Sequence, residues 1–351
     1  MRVCWAAYGD LGQPTGGYVY DRLVVAGLRA RGDDVTLADL AGEPSRLPAA
    51  ADGGAFDAVV GDALCVRELG PIFEGTSRGV ARVLLVHHLT SWEVEHTDDV
   101  LLRAVEARAI AASDRLVVTG DATGARLAAE HPGRAIDVIL PGADRLVRLP
   151  HAPDDRGRAR LVFIGSLIAR KRVPLLLDAI EEASDPRLAL TLVGDADRDP
   201  EHAAAVRARV EASRVLRAAV RFAGIADEAA LSRVLSESDA LVLPSSLEGY
   251  GMVLTEALHA GVPVFVSRPT AIAAGLVGSP AAVVCDDAKG LAALLRRFAG
   301  DGAMRAALRA AAEAAVWPRW SDTVRMFGEA LGRARAAVAQ ETRGPVVAGP
   351  G

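Results

Sequence analysis

Cysteine, lysine and long apolar runs are all scarce in this 351-residue sequence. Its three cysteines, Cys4, Cys65 and Cys285, stand far apart in apolar surroundings. This number and spacing argue against a disulfide framework or a cysteine metal site, and they favour buried thiols in a reducing compartment. No apolar run reaches the ~18 residues of a membrane span, and the first one is too short for a signal-peptide core. We therefore expect a soluble cytoplasmic protein without stable membrane insertion.

A surplus of positive charge is missing too. The formal net charge is −5, and acidic and basic residues are scattered along the chain. Nucleic-acid binders carry a basic face, so no nucleic-acid partner is expected. Only two lysines occur, Lys171 and Lys289, and a lysine inside a motif is therefore informative. Half of the residues are apolar, which is typical of a globular chain with a buried core.

Short apolar runs alternate with amphipathic, helix-like stretches along the whole chain. Such alternation is typical of parallel sheets covered by helices on both faces. Residues 141–160 interrupt it with three prolines and no clear periodicity, which indicates a linker. The candidate strands form one group before this linker, at 2–7, 34–40, 56–60, 82–87, 115–119 and 135–140, and a second group after it, at 161–164, 188–193, 220–223, 240–243, 262–266 and 282–285.

The sequence therefore predicts an α/β protein of two Rossmann-like, doubly wound parallel-sheet domains that face a central cleft. We place the first domain at residues 1–145 and the second at 146–318. A final helix at 319–340 is expected to cross back to the first domain. Residues 341–351 lack periodicity, and we expect them to form a disordered tail.

The clearest candidate site follows the apolar strand at 240–243. Gly249 and Gly251 let the backbone approach a ligand closely, and the amides up to Met252, where a helix begins, favour a diphosphate. Glu248 lies in the loop and Glu256 more than one turn into the helix, so they would meet opposite ends of a bound molecule. A deeply placed carboxylate suits the vicinal hydroxyls of a ribose. The alternative is a strand–turn–helix with two solvated glutamates.

This segment resembles the Glu-x7-Glu motif of retaining glycosyltransferases with the GT-B fold, especially glycosyltransferase family 4. The resemblance implies that Glu248 lies near the sugar as a catalytic residue and that Glu256 binds the ribose of the donor. It also implies that the amides of Gly249, Tyr250, Gly251 and the following Met hold the diphosphate. The activity implied is transfer of a hexose from a nucleotide-diphosphate sugar, with retention, to a small-molecule or glycan acceptor. Enzymes of this kind need no metal and no other cofactor.

A basic turn follows the strand at 161–164. The segment resembles the Gly-Arg-Leu…Lys-Gly element of the family, in which an arginine and a lysine neutralise the leaving diphosphate. Lys171 matches the lysine and is implied to be catalytic. Ser166 occupies the place of the arginine, and Arg170 is the candidate to replace it in donor binding. The alternative is a surface basic turn that flanks a helix.

Three further positions resemble the family more loosely. Gly16 and Gly17 match its first glycine loop, which lies against the donor phosphates, although paired glycines are also ordinary turn residues. His87, beside His88, matches a histidine that contacts the transferred sugar. Because neither histidine has carboxylates at ligand spacing, no metal site is predicted. Ile225 follows a turn that resembles the one at which, in the family, the nucleobase meets backbone groups.

The resemblance implies that the first domain binds the acceptor and the second binds the nucleotide-sugar. We expect acceptor contacts from three N-terminal loops, at 9–18, 65–77 and 90–99. Two rival functions stay open. One is another enzyme on the same fold, such as a nucleotide-sugar epimerase or a phosphorylase. The other is a catalytically silent sugar-nucleotide-binding protein, a possibility raised by Ser166.

Overall fold

The computed structural model of the protein describes residues 1–42, 55–93, 96–152 and 157–343. Within these ranges the chain separates into two compact units. The first comprises Met1–Gln13, Gly17–Pro141 and the chain from Trp320 onward, and the second comprises Pro14–Gly16 and Gly142–Arg319.

Strands and helices alternate along both units. The strands are β1 (Arg2–Ala7), β2 (Asp34–Asp39), β3 (Ala58–Asp62), β4 (Ala81–Val86), β5 (Arg115–Val118), β6 (Ile136–Val138), β7 (Ala159–Ile164), β8 (Leu188–Val193), β9 (Val220–Gly224), β10 (Ala240–Leu243), β11 (Val264–Val266) and β12 (Ala282–Val284). The helices are α1 (Gly16–Ala30), α2 (Val66–Gly75), α3 (Val100–Ala112), α4 (Asp121–Glu130), α5 (Val173–Ala183), α6 (Pro200–Ala212), α7 (Arg214–Ala219), α8 (Glu228–Ser236), α9 (Met252–His259), α10 (Arg268–Ala273), α11 (Ala288–Gly300), α12 (Gly302–Ala314) and α13 (Trp320–Arg343).

The first unit is built on a parallel sheet with the strand order β2-β1-β3-β4-β5-β6. Strands β1, β3 and β4 are almost entirely buried, as expected for a parallel sheet with both faces covered. The strand order reverses between β1 and β3. In open α/β sheets, ligands bind at the carboxyl ends of the strands that flank such a reversal.

The second unit repeats this design with the strand order β12-β11-β10-β7-β8-β9, again all parallel. Here the order reverses between β7 and β10. Buried aliphatic side chains from both faces form its core, and Phe265 packs edge-on against Phe298 with ring centroids 4.9 Å apart. The loops that follow β7 and β10 carry the residues that the sequence predicts to bind a diphosphate.

The last helix, α13, packs on the first unit. Gly27 of α1 leaves room for it, because a Cβ at this position would lie only 2.3 Å from a Val324 methyl carbon. Phe327 stacks near Trp5 with ring centroids 5.3 Å apart. The Thr323 hydroxyl donates a hydrogen bond of 2.8 Å to the carbonyl of Leu140.

The predicted fold class is confirmed, since each unit is a doubly wound parallel sheet. Each of the predicted strands overlaps an observed one, and the ends differ by at most a few residues. The three cysteines are free thiols, with Cys4 and Cys65 buried and Cys285 partly buried. Of the helices in the described ranges, none has the length and apolar character of a membrane span.

The expectation of a loop at 65–77 was wrong, because most of that segment is helix α2. Its buried residues Val66, Leu69 and Phe73 recur at helical spacing. The sequence obscures this helix because Pro71 lies inside it. Only its ends are available as loop.

The predicted disordered tail, residues 341–351, overlaps the end of the last helix. Residues 341–343 still belong to α13, and the Thr342 hydroxyl donates a 3.1 Å hydrogen bond to the carbonyl of Val338. The rest of the predicted tail, 344–351, lies outside the described residues. So do residues 94–95 of a predicted acceptor loop and residues 153–156 of the predicted linker.

Candidate functional site

Lys171 and Glu248 meet where the strand order of the second sheet reverses. Lys171 ends a short 3-10 turn after β7, and Glu248 lies in the loop after β10. The Lys171 Nζ donates a 2.6 Å hydrogen bond to Glu248 Oε1, although the two residues are 77 positions apart in sequence. Both side chains are largely buried, with 12% and 7% of their surface exposed. Adjacency of β7 and β10 brings the two loops together.

Arg170 adds a second cation to this pair. Its Nη1 lies 3.8 Å from Glu248 Oε2 and donates a 3.1 Å hydrogen bond to the carbonyl of Leu247. Burial raises the pKa of Glu248, but the charges of Lys171 and Arg170 outweigh burial and lower it overall. The cluster therefore holds two cations and one carboxylate. Its excess of positive charge favours an anionic ligand.

The backbone that carries Lys171 is unusual at the next residue. Arg172 has a left-handed conformation with φ 52°, which side-chain-bearing residues seldom adopt. The family element has glycine at this point. Here the left-handed residue ends the turn and directs the chain into α5, in which Pro174 occupies the first turn. Burial lowers the pKa of Lys171, and Glu248 opposes that effect only in part.

Glu256 forms a second ion pair in the same unit. It lies in α9 with 2% of its side chain exposed, and it accepts two hydrogen bonds from Arg145, at 2.8 Å from Nε and 2.9 Å from Nη2. The remaining nitrogen of Arg145, Nη1, reaches Glu228 at 3.3 Å. Burial raises the pKa of Glu256, and Arg145 counteracts only part of this rise.

Sequence reasoning missed Arg145. It lies directly after the segment Pro141-Gly142-Ala143-Asp144, which connects the two sheets, and no local pattern links it to α9. Nothing in the sequence marks Arg145 as functional, because almost all positive charge in this chain is arginine. The pairing depends on tertiary structure alone.

The predicted diphosphate seat lies at the start of α9. Gly251 is left-handed, with φ 85°, and a Cβ there would be 3.0 Å from Leu254 Cδ1, so glycine is required. Met252 is the first helical residue, and its amide belongs to the group that has no partner inside a helix. Gly249 is partly buried, whereas Tyr250 is buried with 6% exposure.

Ser166 and Ile225 follow strands β7 and β9. Ser166 accepts a backbone hydrogen bond of 3.0 Å from the Ile168 amide. Ile225 follows the left-handed Gly224 and is 60% exposed, so an apolar side chain projects at the carboxyl end of β9. Neither takes part in the cluster of Arg170, Lys171 and Glu248.

The first unit carries a separate cluster, at the carboxyl ends of β3 and β4. His87 follows β4, and its Nε2 lies 3.1 Å from Oδ1 of Asp21 on α1. Asp62 ends β3, and the ligand atoms of the three residues all lie within 4.8 Å of one another. Sequence spacing gave no sign of these two carboxylates, because the sheet brings together residues that are far apart in sequence. Two carboxylates and an imidazole are donors that a divalent cation accepts.

The two acids of this cluster could have been recognised in the sequence, because each interrupts an otherwise apolar pattern. Asp21 interrupts the buried face of α1, and it is completely buried. Asp62 ends an otherwise apolar strand and is 1% exposed. The pKa of Asp62 is raised to about 7, first by burial and then by the neighbouring Asp21, and His87 opposes this rise only in part. Burial lowers the pKa of His87, but Asp21 outweighs burial and raises it overall.

The two predicted glycines have different surroundings. Gly16 begins α1 and is exposed. Gly17 packs against His87, since a Cβ would lie 3.0 Å from the Cδ2 of that ring. The neighbouring His88 does not join the cluster and lies 2.9 Å from Glu93 Oε1 instead.

Comparison with known proteins identifies the second unit most clearly. Residues 151–315 match the family described as "Glycosyl transferases group 1". A glycogen synthase from Mycobacterium tuberculosis is 32% identical over 210 residues, which are 58% of this chain and 49% of that protein. A D-inositol 3-phosphate glycosyltransferase from Mycobacterium marinum is 29% identical over 273 residues, 70% of this chain and 57% of that protein. The chain thus spans about half the length of the curated relatives it matches.

Solved structures match the whole fold. Sucrose-phosphate synthase from Thermosynechococcus elongatus superposes with a TM-score of 0.78 and 18% identity, covering 96% of this chain and 99% of that one. Anabaena HepE, in complex with UDP and glucose, gives a TM-score of 0.72 and 16% identity, with 95% and 99% covered. Residues 151–315, which contain Lys171, Glu248 and Glu256, thus match the glycosyl transferases group 1 family, and the chain has the GT-B fold.

Proposed function

We propose that this protein is a retaining glycosyltransferase of the family 4 type, which transfers a hexose from a nucleotide-diphosphate sugar to a small-molecule or glycan acceptor. The observation that carries the proposal is the buried cluster of Arg170, Lys171 and Glu248. It supplies net positive charge at the strand reversal of the second sheet, near the first amides of α9. The relatives named as glycosyltransferases and the neighbour that holds UDP and glucose support the same assignment.

The chemistry is the departure of a diphosphate. The bond between the anomeric carbon and the phosphate oxygen breaks, and both electrons go to that oxygen. Lys171 and Arg170 stabilise the developing charge, an electrostatic effect that is usually the largest in such reactions. When the diphosphate binds, Lys171 exchanges part of its contact with Glu248 for phosphate oxygens, so no metal is required for charge neutralisation.

Retention follows if the acceptor attacks on the face that the diphosphate leaves. The acceptor oxygen forms the new bond to the anomeric carbon, and its proton passes to a phosphate oxygen of the leaving group. Lys171 and Arg170 lower the pKa of Glu248 and so favour its ionised form. We propose that this carboxylate stabilises the positive charge that develops on the sugar ring. No covalent intermediate with the protein is involved.

Glu256 is the residue proposed for the donor ribose. Its two bonds to Arg145 use one lone pair on each carboxylate oxygen, and the others can accept from vicinal hydroxyls. Arg145 is needed because burial alone favours the neutral carboxyl, which is a weaker acceptor. The exposed Ile225 offers an apolar surface for the base.

The test is a panel of UDP-, GDP-, ADP- and TDP-hexoses with a library of sugar and polyol acceptors. We expect acceptor-dependent release of one nucleotide diphosphate, unchanged by EDTA, and an α-linked product from an α-linked donor by NMR. Donor conversion without an acceptor would indicate an epimerase, and dependence on free phosphate would indicate a phosphorylase. Nucleotide binding without any turnover, including hydrolysis, would identify a silent binding protein.

A further inference from the structure

Consecutive residues of the loop after β10 bond to the turn that carries Lys171. The Ser246 amide donates a 2.8 Å hydrogen bond to the carbonyl of Arg170, and the Ser246 hydroxyl donates to the same oxygen at 3.2 Å. Arg170 donates back to the carbonyl of Leu247. Lys171 then pairs with Glu248. Because neighbouring residues of both segments are joined, the path of the loop backbone sets the distance between the Lys171 ammonium and the Glu248 carboxylate.

Two buried hydroxyls hold the start of this loop. The Ser245 carbonyl accepts a hydrogen bond from the Ser267 hydroxyl and a second one, 3.1 Å long, from the Thr270 hydroxyl. All three residues are completely buried, and the two hydroxyl oxygens are 2.9 Å apart. A carbonyl oxygen has two lone pairs, so both hydroxyls can donate to it at once. Loss of either donor leaves part of a buried acceptor unsatisfied, which is costly.

Capping of its own helix does not explain the hydroxyl of Ser267. This residue is the N-cap of α10, where a serine oxygen ordinarily accepts a hydrogen bond from an amide of the first turn. Within the part of the chain that the structure describes, Ser267 makes no such side-chain bond. Its hydroxyl and that of Thr270 bond instead to the loop after β10, which the pairing of β11 with β10 brings close. Both hydroxyls therefore serve the loop that carries Glu248 rather than the helix that carries them.

We propose that Ser267 and Thr270 are positioning residues for Glu248. By holding the Ser245 carbonyl they fix the path of the loop, and this path keeps the Glu248 carboxylate opposite Lys171. Their consequence for turnover rests on the proposed function, in which that carboxylate faces the reacting sugar. A displacement of about 1 Å at a reacting centre can lower a rate by about 10²-fold, so a small change in the path of the loop is enough.

The first measurement is NMR of the side-chain ammonium groups, and it needs no turnover. The chain has only two lysines, so 15N-labelled lysine gives at most two such signals, which Lys289→Ala assigns. Protons of an ammonium in a buried ion pair exchange slowly with water, whereas those of the exposed Lys289 exchange fast. We expect a sharp Lys171 signal from the wild-type chain in mildly acidic buffer. It should broaden in Ser267→Ala and in Thr270→Val, because the ion pair loosens.

The second measurement separates positioning from mere packing. Ser267→Ala and Thr270→Val should each lower kcat by about tenfold or more, with nucleotide diphosphate binding no weaker than in wild type. In a Glu248→Gln background the same substitutions should have little further effect on kcat, because residues that act through one group are not additive. Thr270→Ser keeps the hydroxyl and should behave like wild type. The control is Ser238→Ala, which removes a buried hydroxyl that donates to the Val234 carbonyl at 2.6 Å and should change neither measurement.

Several results would overturn the proposal. They are a Lys171 signal already broadened in wild type, a signal that stays sharp in both variants, equal rate losses with and without Glu248→Gln, and the same broadening in Ser238→Ala. If the wild type turns over no donor, the proposed function fails, while the ammonium signals still decide whether the two hydroxyls position the ion pair. Failure of the proposed transfer reaction and failure of this inference are therefore distinguishable.

Discussion

Arg145 donates two hydrogen bonds to Glu256, 2.8 and 2.9 Å long, inside the second unit. This planar contact joins the segment after β6 to helix α9. It is the fork geometry in which arginine and lysine are not interchangeable. The contact opposes the burial that raises the pKa of Glu256, the residue proposed for the donor ribose.

Arg145→Met should leave Glu256 buried without a cation. We expect a loss of about 3 kcal/mol in unfolding free energy at pH 8, in line with other broken buried pairs. The loss should shrink toward pH 5, because a neutral Glu256 needs no cation. Denaturant unfolding at both pH values measures this. The matched control is Arg148→Met, whose exposed pair with Glu313, 3.4 Å long, should contribute little; equal losses in the two variants would contradict the prediction.

Lys171→Ala should reduce turnover by about 10² to 10³, the usual effect of removing one donor that stabilises developing charge. The reason is the loss of the cation nearest to Glu248, which we propose stabilises the leaving diphosphate. The only other lysine, Lys289, is exposed on α11, and Lys289→Ala provides the control. Nucleotide release measured for both variants decides the matter, and a similar rate in both would remove Lys171 from the mechanism.

The two glutamates of the motif should act in opposite directions on nucleotide binding. Glu256→Gln should weaken binding of the nucleotide diphosphate by about tenfold or more, because a charged acceptor for the ribose is lost. Glu248→Gln should tighten it, since Lys171 and Arg170 lose the carboxylate that now lies 2.6 and 3.8 Å away. Titration calorimetry gives both constants. The reverse order would exchange the roles assigned to the two residues.

Asp62→Asn should stabilise the protein at alkaline pH. The folded pKa of Asp62 is raised to about 7, so its favourable contribution is complete at low pH and is lost as pH rises toward 7. At pH 8 we expect the variant to melt a few degrees above wild type, with the difference vanishing near pH 4. Asp57→Asn should do the opposite, because the backbone amide of Arg2 lowers the pKa of Asp57. Melting curves across this range provide the test.

The local sequence pattern was sufficient to predict most strands and helices and one contiguous motif. The strands in the described ranges are mostly short apolar runs bounded by turns, and such runs can be recognised without tertiary information. Glu248, Gly251 and Glu256 lie within one strand–loop–helix segment, so their spacing alone predicted their relative placement. Helix α2 escaped this reasoning because Pro71 interrupts its pattern.

The partners of those residues depended on strand order. Lys171 reaches Glu248 because β10 lies beside β7, and Asp62 and Asp21 reach His87 because β3 lies between β1 and β4.

By itself, then, the sequence determined two parallel α/β sheets and a glycine loop flanked by two glutamates. Periodicity and backbone freedom are local properties of neighbouring residues. Only the tertiary structure decided that Arg145 holds Glu256, that Lys171 pairs with Glu248 and that His87 has two acids beside it. Such ion pairs join residues from separate strands and helices, and their energies depend on burial and on distances that exist only after the sheets assemble.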